Sequence, residues 1–88
     1  MLVVDRIQIR VELSDEEFEV LARPVQGSGG FQSLLRSLRP NNDGIVLIPL
    51  SAVPRIRKYC SKYGGGGFQA RLDILRSILE LLRLKGIE

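Results

Sequence analysis

Between positions 3 and 13 apolar and polar residues alternate. Val3, Ile7, Ile9, Val11 and Leu13 fall on one side of an extended chain, and Arg6, Gln8, Arg10 and Glu12 on the other. A period of two marks a strand buried on one face, so a strand is expected over 3–13. The period then lengthens. Ser14 followed three residues later by Glu17 is a capping box that starts a helix at Asp15. Asp15, Glu16 and Glu17 occupy its first turn, where the helix dipole favours acids. Phe18, Leu21 and Ala22 form its inward stripe, and Pro24 and Gly27 end it near Arg23. After a glycine-rich loop, Phe31, Leu34, Leu35 and Leu38 mark the apolar side of a short helix from about Gly30 to Leu38.

Arg39, Pro40, Asn41, Asn42, Asp43 and Gly44 form a turn cluster. The stretch Ile45 to Leu50 predicts a second strand, apolar on both faces. Val46, Ile48 and Leu50 point to the core, which leaves Ile45 and Leu47 on the far side, to be covered by the N-terminal segment or by a neighbouring chain. Ser51 is placed to cap a third helix, with Pro54 in the first turn, where its missing N–H is harmless. That helix runs to about Tyr63, with Val53, Ile56, Tyr59, Cys60 and Tyr63 on its buried side. Arg55, Lys58 and Lys62 recur at three and four residues and share one face. The last helix starts at Gly67 or Phe68 and reaches about Leu84. It carries two apolar stripes, Phe68, Leu72, Leu75, Leu79 and Leu82, then Ile74, Ile78 and Leu81, roughly 100° apart.

The chain repeats itself. Gly27, Gly29, Gly30, Phe31 and Gln32 match Gly64, Gly66, Gly67, Phe68 and Gln69 at a constant separation, and Leu13, Ser14, Leu35, Leu38 and Arg39 match Leu50, Ser51, Leu72, Leu75 and Arg76 at the same separation. We read a tandem duplication of a strand–helix–Gly loop–helix (βαα) unit, repeat one over 1–40 and repeat two over 41–88. The expected fold is a single α+β domain with a pseudo-twofold axis. Two strands are marginal alone, and two apolar stripes on one helix are a wide face. Both lead to the expectation of a homodimer, joined through the last helix or by strand pairing into a larger sheet.

Composition narrows the functional classes. At 88 residues this is one domain near the small end of what folds alone. One cysteine excludes an intrachain disulfide, and with no histidine a structural zinc site is not expected. No apolar run approaches the roughly 20 residues of a membrane span. The N-terminal run lacks the basic segment of a signal peptide, and a cytoplasmic location is expected. Without histidine there is no His-based triad, and Asp15, Glu16, Glu17 and Glu19 read as a cap and a solvated face. We therefore expect no enzyme and no cofactor.

Charge is uneven. Residues 1–44 hold five arginines against seven acids, net −2, and residues 45–88 hold eight Lys and Arg against three acids, net +5. A basic half suits phosphates. The expected function is a small binding module for nucleic acid, DNA in the first place, through Arg55, Lys58 and Lys62 with Arg71 and Arg76. The alternative is a protein–protein interaction module, an inhibitor or adaptor using the wide apolar helix face. Glycines before a helix leave first-turn N–H groups open to an anion, which makes Gly29, Gly30 and Gln32, and Gly66, Gly67 and Gln69, candidate loop or anion sites. Arg71 falls between the two apolar stripes, where a lone charge is costly. Its counterpart in the first repeat is Leu34, so the shared architecture does not demand it.

Overall fold

A computed structural model describes residues 2–4, 7–62 and 68–86. They form an α+β protein with one three-stranded antiparallel sheet and four α-helices. The chain divides into two compact units, Met1–Ser51 and Ala52–Glu88.

The first unit holds the sheet. Strand β1 (Leu2–Val4) pairs with β2 (Gln8–Glu12), which pairs with β3 (Ile45–Pro49), in the order β1-β2-β3. The expected strand over 3–13 is thus two strands, with Leu2 opposite Val11 and Val4 opposite Ile9. The chain reverses between β1 and β2 instead of continuing the alternation. The reversal puts Leu2, not Val3, on the buried face: Val3 is 45% exposed and Ile7 74%. It also completes a three-stranded sheet within one chain.

Register along β3 follows the sequence expectation. Val46 and Ile48 are buried opposite Val11 and Ile9, and Leu47, opposite Arg10, faces outward at 48% exposure. On the far side of this strand Leu47 is left exposed by the described residues, whereas Ile45 is half-buried. Leu13 N–H donates to the Gly44 carbonyl and Leu50 N–H to the Ile7 carbonyl, extending the ladder at both ends. In an antiparallel pair successive residues turn their backbone groups to alternate sides, so Pro49 falls on the outer edge, where its missing N–H opposes further pairing.

Helix α1 (Asp15–Ala22) starts on the expected capping box. Ser14 N–H donates to Glu17 Oε1 at 2.8 Å, and Glu17 N–H donates to Ser14 Oγ at 3.2 Å. Helix α2 (Gly30–Ser37) buries Phe31, Leu34 and Leu35, with Leu38 buried just beyond it. The turn into β3 is held by Asn41, whose Oδ1 accepts from Asp43 N–H at 2.9 Å and Ile45 N–H at 3.1 Å. Gly44 takes φ +76° in that turn, a conformation side chains disfavour.

The second unit is a helical pair. A 3-10 turn over Leu50–Ala52 runs across the unit boundary, and helix α3 (Val53–Lys62) starts after it, one residue later than expected from a cap at Ser51. Val53, Ile56 and Cys60 are buried, and Tyr59 is half-buried. Helix α4 (Gln69–Leu84) packs with α3 and buries Leu72, Ile74, Leu75, Ile78 and Leu82. Of the two apolar stripes, Leu72, Leu75, Leu82, Ile74 and Ile78 are therefore buried, and Phe68 and Leu79 are half-buried. Leu81 at 45% and Leu84 at 69% remain exposed.

Candidate nucleic-acid interface

Helix α3 carries Arg55, Arg57, Lys58 and Lys62 and no acid, and all four are exposed. At about 100° per residue, Arg55, Lys58 and Lys62 lie within an arc of about 60°, on the side opposite Val53, Ile56 and Cys60. Burial of the apolar stripe thus dictates where the cations go. Arg57 lies outside that arc, so spacing alone passed it over; its signal was its place in the acid-free segment. Arg55, Arg57 and Lys62 each also hold an interaction within the chain.

The exposed side of α4 differs. Its charges alternate and pair along the helix. Arg76 Nη1 lies 3.8 Å from Asp73 Oδ1, and Arg83 Nε donates to Glu80 Oε2 at 3.1 Å. The Arg83 hydrogen bond holds the Glu80 carboxyl below its usual range. Arg76 is engaged further: its Nη2 donates to the Cys60 carbonyl at 2.9 Å. That carbonyl lies in the last turn of α3, where carbonyls lack intrahelical partners. Arg76 is thus a tie between the two helices as well as a cation. Burial pushes the Cys60 thiol up, with nearby Arg76 opposing that shift, which fits a core cysteine. Arg71 is half-buried in the first turn of α4 and is not without a partner. The structure therefore groups Arg55, Lys58 and Lys62 on one face of α3 and places Arg71 and Arg76 on the other helix.

The first glycine loop closes on itself. Gly27 adopts φ +96°. The Gln32 amide lies against Gly29, where a Cβ would stand 2.5 Å from Gln32 Oε1, and against Gly27, where a Cβ would stand 3.3 Å from Gln32 Nε2. Arg36 Nη2 donates to the Val25 carbonyl at 3.0 Å and to the Gly27 carbonyl, and Arg39 Nη2 to the Ala22 carbonyl at 2.8 Å. Gly29, Gly30 and Gln32 are thus part of a tied loop. In the second junction Gln69 Nε2 donates to Asp73 Oδ1 at 2.8 Å. Gly66 and Gly67 lie outside the described residues.

A shallow pocket of about 240 Å³ in the first unit is lined by Leu13, Asp15, Phe18, Asn42, Asp43 and Gly44. Its charged groups are acids, so it does not suit an anion. Among the described residues no group of three or more His, Cys, Asp or Glu is placed to hold a metal. No helix among them is long and apolar enough to cross a membrane. Comparison with protein-family models, with curated proteins and with solved structures finds no match.

Proposed function

We propose that the protein is a non-enzymatic nucleic-acid-binding module, acting on DNA through helix α3. The observation that carries this is an exposed helix bearing Arg55, Arg57, Lys58 and Lys62 with no acid, while the charges of α4 pair along that helix. The charge division follows the two compact units, since residues 45–51 carry no charge. A local basic surface attracts a polyanion even at a modest net charge. The interactions that Arg55, Arg57 and Lys62 hold within the chain do not oppose this, because exposed charge contacts are weak and exchange readily.

The test is a gel shift with DNA at low salt. The wild type should retard the probe, and Arg55→Gln/Lys58→Gln/Lys62→Gln should weaken binding by at least about tenfold, because each lost phosphate contact removes a counterion-release contribution. No retardation at low salt rejects the proposal.

The duplication belongs to the same reading. In its support, β2 and β3 coincide at the repeat separation with the same alternation of burial, and each is followed by two helices. Homodimerisation through the last helix would rest on the exposed Leu81 and Leu84. The protein-interaction alternative has its best surface on the outer sheet face, where Val3 and Leu47 flank Arg10 in one cross-strand row.

A further inference from the structure

We infer that the outer face of the sheet is an interface with a second copy of this chain, packed face to face about a twofold axis that crosses β2 at Val11. The inference is independent of the proposal for α3, which stands or falls on DNA binding alone.

Alternation builds the face. Ile9, Val11, Val46 and Ile48 are buried, so the residues between and beside them turn outward. Val3, Arg10 and Leu47 form one cross-strand row, and Glu12 and Ile45 belong to the next. The described residues leave Val3 45% and Leu47 48% exposed, with Arg10 and Glu12 exposed beside them. Strand β2 is the middle strand. Its Arg10 and Glu12 therefore stand at the centre of the face, opposite in sign and two residues apart.

That spacing selects a second copy as the occupant. An isologous interface needs a surface complementary to itself, residue i meeting residue j and j meeting i. A twofold axis along the strands lays Arg10 on the partner's Arg10 and Glu12 on the partner's Glu12. An axis across the strands at Val11 lays Arg10 on the partner's Glu12, Glu12 on the partner's Arg10, and Leu47 on the partner's Ile45. Facing like charges repel, and facing opposite charges fix register, so the second arrangement is the self-complementary one. Packed sheets lie about 10 Å apart with strands within about 30° of each other, a gap that an arginine and a glutamate side chain span together. Glu12 also holds an interaction within its own chain; a carboxylate accepts several hydrogen bonds and has room for a guanidinium besides.

Edge pairing is the weaker route to the same dimer. The outward backbone groups of β3 belong to Ile45, Leu47 and Pro49. Ile45 N–H donates to Asn41 Oδ1 at 3.1 Å, and its carbonyl accepts from Asn41 N–H at 2.9 Å. Proline has no N–H to give, and β1 spans only 3 residues, a short edge. A face of three strands about 4.8 Å apart and about 17 Å long is small against the roughly 800 Å² per partner of a standard interface, so the dimer is weak.

Sedimentation equilibrium on the full chain at low salt, from about 10 μM to about 1 mM, tests this. The wild type should pass from monomer to dimer over that range. Arg10→Glu and Glu12→Arg, each alone, should weaken the dimer at least about tenfold, because each sets like charges face to face. Arg10→Glu together with Glu12→Arg restores opposite signs in the same register and should return dimerisation to within about threefold of the wild type. Leu47→Gln should weaken it by removing apolar burial. Circular dichroism melts report the fold of each variant, and should one single variant unfold, the other and the charge swap carry the same reading. A wild type that stays monomeric at the top of the range overturns the inference. So does a dimer that Arg10→Glu leaves intact, one that the charge swap fails to restore, or one that Leu81→Gln with Leu84→Gln dissociates.

Discussion

Arg76 separates a structural role from a binding role, and Arg76→Met is the substitution that does so. Methionine keeps an aliphatic stem of similar length and removes the donors and the charge. The interactions lost include the 2.9 Å hydrogen bond to the Cys60 carbonyl and the 3.8 Å pair with Asp73. A hydrogen bond to a charged group contributes about 1.5–3 kcal/mol when well formed. The Arg76 side chain is 40% exposed, so water competes and the lower part of that range applies. The ion pair is exposed on both sides and adds close to nothing after screening. The expected loss is about 1–2 kcal/mol, which for a domain of this size lowers Tm by about 5–12 °C.

Thermal unfolding followed by circular dichroism measures that loss, and the salt slope of DNA binding measures the other role. The expected result is a lower Tm with a slope unchanged within about 0.3, because a guanidinium tied to a helix end and beside Asp73 contributes no phosphate contact. An unchanged Tm with a slope reduced by about 0.9 would refute the reasoning, since Arg76 would then be a phosphate ligand and its tie to Cys60 incidental.

Two further perturbations probe the fold. Asn41→Ala strips the acceptor shared by the Asp43 and Ile45 N–H groups, and Gly44→Ala forces a side chain into φ +76°. Each should lower the urea-derived stability by about 1–2 kcal/mol, and a change below about 0.5 kcal/mol for both would show that this turn does not hold β3 in register. Leu72→Ala, at a fully buried site, should cost about 3–5 kcal/mol. Leu81→Gln with Leu84→Gln should move stability by less than about 1 kcal/mol, because both positions are exposed. If the chain pairs through its last helix, that double variant also converts a dimer to a monomer in sedimentation equilibrium; a dimer that survives it excludes this face.

Local rules sufficed wherever the determinant lay within one turn or one strand. The capping box at Ser14 and Glu17, the buried side of α2, and the burial of Val46 and Ile48 all follow from spacing. The hairpin of β1 and β2 was masked because Val3 and Ile7 continue the period on either side of Asp5. The width of the α4 apolar face was legible, but its meaning was not. Only packing shows that Ile74 and Ile78 are buried while Leu81 of the same stripe is exposed.

The site divides along the same line. The shared face of Arg55, Lys58 and Lys62 is a matter of helical period. The i,i+3 pairs Asp73–Arg76 and Glu80–Arg83 were equally readable and would have set Arg83 and Arg76 apart from the α3 cations. The donation from Arg76 to the Cys60 carbonyl joins residues 16 positions apart, and no local pattern encodes it.

The two Gly-Gly-Phe-Gln junctions show why identical residues need not share a role. Phe31 is 2% exposed, whereas Phe68 is half-buried. Gln32 lies over Gly27 and Gly29, whereas Gln69 donates along its own helix. The two differ in the residue four positions on. In the first junction that residue is Arg36, which has no acceptor to offer the Gln32 amide and itself reaches back to the Val25 and Gly27 carbonyls. In the second it is Asp73, whose carboxylate draws the Gln69 amide onto the helix surface and also lies beside Arg76. A cation at one junction and an anion at the other therefore go with two different placements of the glutamine side chain. The cation ties the first loop to its helix, and the anion balances charge along α4, so that α3 is left as the uniformly basic helix of the second unit.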